Sequence, residues 1–165
     1  MPILIIFLDF DGVLHPDPCF EALRLFEQVP RLDAVLAEFP ETDLVLSTNW
    51  RSDRTAAQLR DLLGPAVATR VVGATPHFGS FVAPARLLPY HRHAECAQWL
   101  MENDAVDQEW VALDDRASMF APNCDRLIEC DSARGLDDSV AGRLRFALLR
   151  ARRTKELRRS ATEPI

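Results

Sequence analysis

The sequence has a single lysine, Lys155, so arginine provides nearly all of its positive charge. Any chemistry that usually depends on a lysine ammonium must be carried out here by an arginine guanidinium, or it is absent. The two groups are not equivalent, because the planar guanidinium needs more space than an ammonium and forms paired hydrogen bonds.

The sequence also lacks a CxxC pair and the cysteine and histidine spacings of a zinc site. The four cysteines are therefore expected to be reduced, mostly buried thiols rather than a disulfide framework. The apolar run at residues 3–8 is too short for a membrane span, and no basic segment precedes it as in a signal peptide. We therefore expect a cytoplasmic protein with no membrane partner. The sequence shows no internal repeat and no low-complexity segment.

Charge is distributed unevenly along the 165 residues. Residues 1–140 carry 11 basic and 23 acidic side chains, whereas residues 141–165 carry 8 basic and 2 acidic. With 48% apolar and 27% charged residues, the chain fits one domain with a sizeable core. We expect residues 1–140 to form this core and residues 141–165 to form a basic helix and tail. That helix either docks on the acidic body with a solvated face or contacts nucleic-acid phosphates.

Apolar runs predict strands at residues 3–8, 43–48, 71–72, 110–113 and 126–130. Helical patterns lie at residues 20–28, 31–39, 52–63, 93–103 and 137–159, and residues 73–91 are expected to form a loop. Ser52 and Asp137 are candidate N-caps, and Gly64 and Pro65 end the helix that Ser52 begins. Strands that alternate with helices predict an α/β fold of three layers, with helices on both faces of a central parallel sheet.

Polar clusters follow three of the predicted strands. Asp9 and Asp11 follow the first strand, residues 47–49 (STN) end the second, and Asp114 and Asp115 follow the fourth. Ligands of open α/β sheets bind beyond the carboxyl ends of the strands, so four carboxylates can reach one crevice. Carboxylates this close repel one another unless a cation compensates them, and Mg²⁺ prefers oxygen ligands. The pattern therefore predicts a magnesium site.

The same residues supply the parts of a phosphoryl-transfer reaction. Such a reaction needs a nucleophile, neutralisation of charge and a proton donor for the leaving oxygen. Asp9 can attack phosphorus, and Asp11 can give and later remove a proton. Phe10 is expected to pack away from the two carboxylates, and Gly12 lets the backbone turn sharply beside a ligand.

Three segments resemble the motifs of the haloacid dehalogenase-like (HAD) hydrolase superfamily. Residues 9–14 (DFDGVL) resemble motif one, residues 44–49 (LVLSTN) resemble motif two, and residues 112–115 (ALDD) resemble motif four. The resemblance implies a Rossmann-like fold, with residues 1–140 as the catalytic core. It also implies a Mg²⁺-dependent phosphatase rather than a dehalogenase, because the second acidic position of motif one is an aspartate.

The resemblance implies a role for each matched residue. Asp9 would be the nucleophile and Asp11 the general acid and base, and both would contact the metal, Asp11 through its main-chain carbonyl. Asp114 and Asp115 would complete the magnesium site. Thr48 would bind the phosphoryl group, because it lies at the strand terminus. Ser47 is the alternative for that contact, although it is expected to face the opposite side of the sheet. Ser47, Asn49 and Arg51 are further candidates for substrate binding.

One motif departs from the pattern. The superfamily normally places a lysine before motif four, and this chain has none there. Arg92 is the expected substitute, at the start of the predicted helix 93–103, and Arg86 is the second choice. An arginine can neutralise both an aspartate and a phosphate through two parallel hydrogen bonds.

The intervals between motifs are too short for the full cap domain that covers many HAD sites. An open site admits large substrates, so the phosphoester is either a small molecule or a nucleic-acid end. A small lid could come from residues 13–20 or 73–91, and His15 could line the pocket. The short motifs most resemble uncapped phosphatase domains of bacterial RNA-repair proteins.

Two other functions remain open. The missing lysine also fits a catalytically weak binding protein of the HAD fold. A phosphoacceptor signalling module uses similar residues, but its phosphorylated aspartate follows a mid-chain strand. Nothing in the sequence indicates an oligomeric state.

Overall fold

Five short apolar segments form one parallel sheet in the computed structural model of the protein, which describes residues 3–162. The strands are β1 (Leu4–Leu8), β2 (Thr42–Leu46), β3 (Val71–Ala74), β4 (Trp110–Asp114) and β5 (Leu127–Glu129). Their order across the sheet is β3-β2-β1-β4-β5, and every neighbouring pair is parallel. The predicted α/β fold with a central parallel sheet is confirmed.

In the part of the chain that the structure describes, five α-helices connect and cover the strands. They are α1 (Val29–Glu38), α2 (Ala56–Leu62), α3 (Gly64–Ala68), α4 (His91–Glu102) and α5 (Asp138–Thr162). No helix among the described residues is both long enough and apolar enough to cross a membrane. All four cysteines are free thiols, and two of them, Cys96 and Cys130, are buried.

The alternation of side chains along β1 separates two layers of core. Ile6 and Leu8 pack with apolar residues of α1, α2, α3 and α5 on one face of the sheet. Ile5 and Phe7 pack with residues of α4, among them Trp99, on the other face. Because β1 is buried on both faces, it needs the continuous apolar run seen in its sequence.

The prediction of a helix at residues 20–28 is wrong. Only Ala22–Arg24 forms a short 3-10 turn, and Phe20 and Leu23 are almost fully exposed. An amphipathic pattern stabilises a helix only where its apolar face finds a surface to pack against. Phe26 also has a φ of +59°, which is incompatible with a continuing helix.

The helix predicted at residues 52–63 is divided. Asn49–Ser52 is a 3-10 helix, and α2 begins only after Thr55. Thr55, not Ser52, is the N-cap, and it forms a capping box with Gln58. Gly64, with a φ of +72°, follows the end of α2 as expected, but Pro65 then lies in the first turn of α3 rather than in a loop.

Two boundaries near residues 73–91 also differ from the prediction. Strand β3 extends to Ala74, and the segment contains 3-10 turns at Phe78–Ser80 and Ala85–Leu87. Helix α4 begins at His91, two residues earlier than predicted. Arg92 therefore lies in the first turn of α4 rather than before the helix.

Helix α5 begins after Asp137, whose Oδ1 accepts a hydrogen bond of 3.0 Å from the Val140 N–H. The N-cap prediction is therefore confirmed. Arginines of this helix contact the acidic body: Arg145 pairs with Glu38 at 2.9 Å, and Arg152 pairs with Glu41 at 3.3 Å. Apolar residues at the start and middle of α5 belong to the core, namely Val140, Ala141, Leu144, Leu148 and Ala151.

Candidate active site

The register of the sheet places three polar side chains next to one another. Leu8 of β1 pairs with Leu46 of β2 and with Leu113 of β4. The residues that follow are Asp9, Ser47 and Asp114, so they lie side by side at the carboxyl edge of the sheet. The alternate side chains earlier in the same strands pack with residues of α4, namely Ile5, Phe7, Val45 and Ala112. Asp9, Ser47 and Asp114 continue this alternation and therefore also face α4. Three strands thus deliver polar groups to one place beneath the first turn of α4.

Asp9, Asp114 and Asp115 form one acidic group, with a carboxylate oxygen from each lying within 4.8 Å of the others. Asp9 and Asp114 are only 2% and 1% exposed. Burial raises the pKa of Asp9 well above its usual range, and the neighbouring Asp114 raises it further. Burial likewise raises the pKa of Asp114 to about 6. Three carboxylates held this way disfavour ionisation unless a cation is added.

The acidic group fits a divalent cation by its chemistry. Its donors are all oxygens, the ligands that Mg²⁺ prefers. The Oδ1 atom of Asp115 is buried and has no hydrogen-bond partner among residues 3–162. A buried acceptor without a partner is costly, and coordination to a metal would satisfy it. Burial also raises the pKa of Asp115, so all three carboxylates would gain from a bound cation.

Gly12 allows the loop after β1 to pack against this group. Its φ is +72°, and a Cβ atom at this position would collide with the Asp115 carboxylate. Only glycine combines that conformation with that close approach. The sequence predicts a sharp turn at Gly12, and the group that packs against this turn is the carboxylate of Asp115.

Asp11 does not join the acidic group. His15 Nε2 lies 2.8 Å from Asp11 Oδ1, and Trp50 Nε1–H donates to Asp11 Oδ2 at 3.0 Å. Three of the four carboxylates predicted to share the crevice therefore form the acidic group, whereas the Asp11 carboxylate is bound by two ring nitrogens. The predicted contact of the Asp11 main-chain carbonyl with the metal stays a prediction.

Arg92 is buried between the two deepest carboxylates. Its NH2 atom lies 3.7 Å from Asp9 Oδ1, and its Nε atom lies 3.9 Å from Asp114 Oδ2. Its charge counteracts burial by lowering the pKa of both aspartates. The guanidinium is only 4% exposed and also donates to Asn49 Oδ1 at 3.1 Å and to the Ser47 carbonyl. Arg92 thus lies where a compensating cation is needed.

Arg86, the second choice for that role, lies exposed on the 3-10 turn Ala85–Leu87 before α4. It has no ion pair with the acidic group among the described residues. Of the two candidate arginines, Arg92 therefore lies beside the acidic group and Arg86 does not.

The two hydroxyl residues after β2 point to different partners. Ser47 Oγ lies 3.4 Å from Arg92 NH1, so the expectation that Ser47 faces the opposite side of the sheet is wrong. The reason is the pleat, which puts Ser47 on the same face as Asp9. Thr48 Oγ1 accepts a 3.2 Å hydrogen bond from the Trp50 N–H and caps the 3-10 helix there. Which hydroxyl contacts a phosphoryl group stays a prediction.

Arg51 is held by the protein itself. Its side chain is 6% exposed, its NH2 lies 2.9 Å from Glu95 Oε1, and its NH1 donates to the Thr48 carbonyl at 2.7 Å. Burial lowers the pKa of Arg51, and Glu95 counteracts that effect. Glu95 also accepts a 2.9 Å hydrogen bond from the Phe78 N–H. Arg51 therefore ties the turn after β2 to α4, and its predicted substrate contact stays a prediction.

Sequence reasoning missed the partners of Asp11 and of Arg51. His15 follows Asp11 by four residues, and this short spacing was the one available signal. Trp50 and Glu95 reach their partners from 39 and about 44 residues away, and no local pattern reports such contacts.

The chain matches a protein family described as "HAD domain in Swiss Army Knife RNA repair proteins" over residues 5–141. No curated protein and no solved structure gave a significant match. The matched region runs from β1 into the first turn of α5, so it contains the acidic group and Arg92. This match supports a hydrolase of the phosphatase type. The chain belongs to the family of HAD domains in Swiss Army Knife RNA repair proteins.

Proposed function

We propose that the protein is a Mg²⁺-dependent phosphomonoesterase that carries the phosphoryl group on Asp9. The observation that supports this most directly is the position of Arg92 between Asp9 and Asp114. An arginine buried beside a carboxylate can neutralise a phosphoryl group that the carboxylate attacks. The only lysine of the chain is Lys155 on α5, after β4 in the sequence, so this arginine takes the place of the usual cation.

The reaction has two steps. In the first, an Asp9 carboxylate oxygen attacks phosphorus, the bond from phosphorus to the leaving oxygen breaks, and Asp11 gives that oxygen a proton. In the second, water attacks the phosphorus of the phospho-aspartate and Asp11 takes its proton. The bond from phosphorus to Asp9 then breaks, and inorganic phosphate leaves.

Several groups of the chain support these steps. Asp9, Asp114 and Asp115 would hold Mg²⁺, which supplies neutralisation of the phosphoryl oxygens when bound. Arg92 lowers the pKa of Asp9, partly offsets the effect of burial and so favours the ionised form that a nucleophile needs. The Phe10 N–H donates to Asp9 Oδ1 at 2.8 Å and fixes the orientation of the carboxylate. The hydroxyls of Ser47 and Thr48 are the candidate donors to the phosphoryl oxygens.

The substrate we propose is a phosphomonoester on a small molecule or at a nucleic-acid end. The segments that follow β1 (residues 9–28) and β3 (residues 75–90) are short, and neither forms a separate domain. Both carry exposed apolar side chains, Phe20 and Leu23 on the first segment and Val82 on the second. An uncovered site of this kind does not select against a large leaving group.

Phosphate release tests the proposal. The full chain is incubated with p-nitrophenyl phosphate and with a panel of phosphorylated metabolites and oligonucleotides, with Mg²⁺ or with EDTA. We expect turnover only with Mg²⁺. We expect Asp9→Asn to abolish turnover, while the variant still unfolds cooperatively on heating. Asp61→Asn, an exposed change of the same type on α2, is the matched control and should leave turnover unchanged.

Other outcomes separate the alternatives. Binding of Mg²⁺ without release of phosphate from any substrate would favour a binding protein of the HAD fold. A stable phospho-protein after treatment with acetyl phosphate, without turnover, would favour a phosphoacceptor module. Unchanged turnover in the Asp9→Asn protein would refute the nucleophile assignment.

A further inference from the structure

The Asp11 carboxylate is bound on both of its oxygens by ring nitrogens from two different segments. We propose that His15 and Trp50 form a clamp, here called the Asp11 clamp, that orients this carboxylate for proton transfer to the leaving group. The inference rests on the proposed function and adds two positioning residues to it. His15 and Trp50 do not touch the substrate in this proposal, since they act through Asp11.

The first half of the clamp has a fixed tautomer. The Phe26 N–H lies 3.3 Å from His15 Nδ1, and a backbone N–H can only donate. The Nδ1 atom must therefore offer its lone pair, which leaves the ring proton on Nε2. That proton points at Asp11 Oδ1, 2.8 Å away. The backbone thus makes His15 a donor to Asp11.

The second half of the clamp is a donor by its chemistry. The indole nitrogen of Trp50 has a hydrogen and no acceptor capacity, and it donates to Asp11 Oδ2 at 3.0 Å. Two bonds to the two oxygens of one carboxylate define the plane of the group as well as its position. A single bond would leave the carboxylate free to rotate about its χ2 torsion, which is a soft torsion.

Both donors are held rigidly. His15 is 1% exposed, and its ring contacts Phe26 at a centroid distance of 4.9 Å. The Trp50 ring contacts Phe10 at 5.9 Å and Phe26 at 5.3 Å, and the Arg54 guanidinium lies 4.4 Å above it. This aromatic cluster therefore fixes the positions of the two donors relative to each other.

The loop that carries His15 is also anchored at its backbone. The Gln28 N–H donates to the Leu14 carbonyl at 3.0 Å, and the Leu136 N–H donates to the Val13 carbonyl at 2.7 Å. These bonds connect the two residues before His15 to two other segments of the chain. The backbone next to His15 is thereby held in place.

Exposure shows which member of the clamp can act on a substrate. The Asp11 side chain is 39% exposed, whereas that of His15 is 1% exposed. Each carboxylate oxygen has two lone pairs, and the clamp uses one of them on each oxygen. The remaining lone pairs can hold the proton that the leaving oxygen needs. The clamp therefore orients the Asp11 carboxylate and leaves lone pairs available for proton transfer.

Leaving-group selectivity provides a test that a purely structural role would not satisfy. The leaving group of p-nitrophenyl phosphate departs readily as an anion, whereas that of phenyl phosphate depends on a proton donor. Because kcat/KM includes the steps through departure of the leaving group, it reports on Asp11 as an acid. Trp50→Phe removes the N–H and keeps an aromatic ring, and His15→Phe removes both ring nitrogens. His15→Gln can restore one N–H donor near the position of Nε2.

We expect Trp50→Phe and His15→Phe to lower kcat/KM for phenyl phosphate by about tenfold, and for p-nitrophenyl phosphate by less than about threefold. His15→Gln should recover part of the loss on phenyl phosphate. Trp110→Phe is the matched control for the tryptophan, because Trp110 lies at the start of β4, the end of the strand opposite Asp114. It should leave the ratio between the two substrates unchanged.

The outcomes separate this proposal from the one on which it rests. Equal losses on both esters, or no loss on either, would overturn the Asp11 clamp while wild-type turnover upholds the phosphatase. A wild-type protein that releases phosphate with Mg²⁺ neither from these esters nor from the panel of phosphorylated metabolites and oligonucleotides would overturn both. If a variant fails to fold, the other half of the clamp gives the answer, because each donor is tested by its own substitution.

Discussion

The NH2 atom of Arg92 lies 3.7 Å from Asp9 Oδ1, and both side chains are almost completely buried. The guanidinium reaches this position because α4 begins at His91 and puts Arg92 in its first turn. From there it also approaches Asp114 and binds Asn49. An ammonium on a flexible stem could not make all of these contacts at once.

Removal of Arg92 is expected to reduce catalysis strongly. Arg92→Ala should lower kcat by about a hundredfold or more, since it removes a preorganised positive charge beside Asp9. Arg92→Lys keeps a charge but loses the hydrogen bonds to Asn49 and the Ser47 carbonyl, so we expect a loss of about tenfold. Steady-state kinetics with p-nitrophenyl phosphate measure both effects. Arg86→Ala is the control, and equal effects at positions 86 and 92 would contradict the assignment.

The stability of the metal-free protein is expected to fall as the pH rises. Burial raises the pKa of Asp114 from 3.8 to about 6, and it raises that of Asp9 as well. The folded protein then holds these protons more tightly than the unfolded chain. The stabilising contribution of Asp114 is present below about pH 4 and is lost as the pH passes about 6, and that of Asp9 is lost as the pH rises through its own raised pKa. For Asp114 alone the shift corresponds to about 3 kcal/mol.

Thermal unfolding measures this effect. In EDTA these groups should stabilise the protein less, and so give a lower Tm, at about pH 7 than at about pH 5. Mg²⁺ should raise Tm more at the higher pH, where the carboxylates are ionised. Asp114→Asn should reduce both the pH dependence and the response to Mg²⁺. A Tm that responds to Mg²⁺ at neither pH would argue against a metal site at Asp9, Asp114 and Asp115.

Two glycines with the same backbone conformation allow the crowding at Asp115 to be measured. Gly12 and Gly64 both have a φ of +72°, but a Cβ meets the Asp115 carboxylate at Gly12 and meets nothing within 4 Å at Gly64. Gly64→Ala should therefore destabilise the protein only through the cost of a left-handed backbone conformation at alanine, about 1–2 kcal/mol. Gly12→Ala should destabilise it further and weaken the response of Tm to Mg²⁺. Equal losses would show that the loop relaxes without moving Asp115.

The pair formed by Arg51 and Glu95 is expected to act on stability more than on binding. Each side chain is almost buried, and removal of one partner leaves the other charge uncompensated. Breaking a buried ion pair in this way costs about 3–5 kcal/mol. Chemical denaturation of Arg51→Gln, Glu95→Gln and the double variant should show strong coupling. If Arg51 instead contacts the substrate, Arg51→Gln alone will raise KM for p-nitrophenyl phosphate.

The acidic site was predictable because its positions follow from strand geometry. An apolar run followed by Asp9, and another followed by Asp114, is enough to place both at the same edge of a parallel sheet. Arg92 was predictable because the segment between β3 and β4 carries only two arginines, Arg86 and Arg92, and no lysine. These inferences use only the order of elements and the type of residue, which a sequence states directly.

Other features depend on contacts that no local pattern reports. The stretch at residues 20–28 has a helical period but no partner surface for Phe20 and Leu23, so it stays largely irregular. Ser47 was assigned to the wrong face because one residue of register decides the side of a sheet. The donors to Asp11 were missed because Trp50 approaches it only once the sheet is formed.

The central place of β1 in the sheet links the chemistry to the cooperativity of folding. With two strands on either side of it, β1 cannot separate from its neighbours unless the whole sheet opens. Local fluctuations should then be confined to the outer strands β3 and β5, while Asp9 keeps its spacing to Ser47 and Asp114 until global unfolding. Amide hydrogen exchange should accordingly be slowest at residues 4–8, and inactivation by denaturant should coincide with loss of the fold.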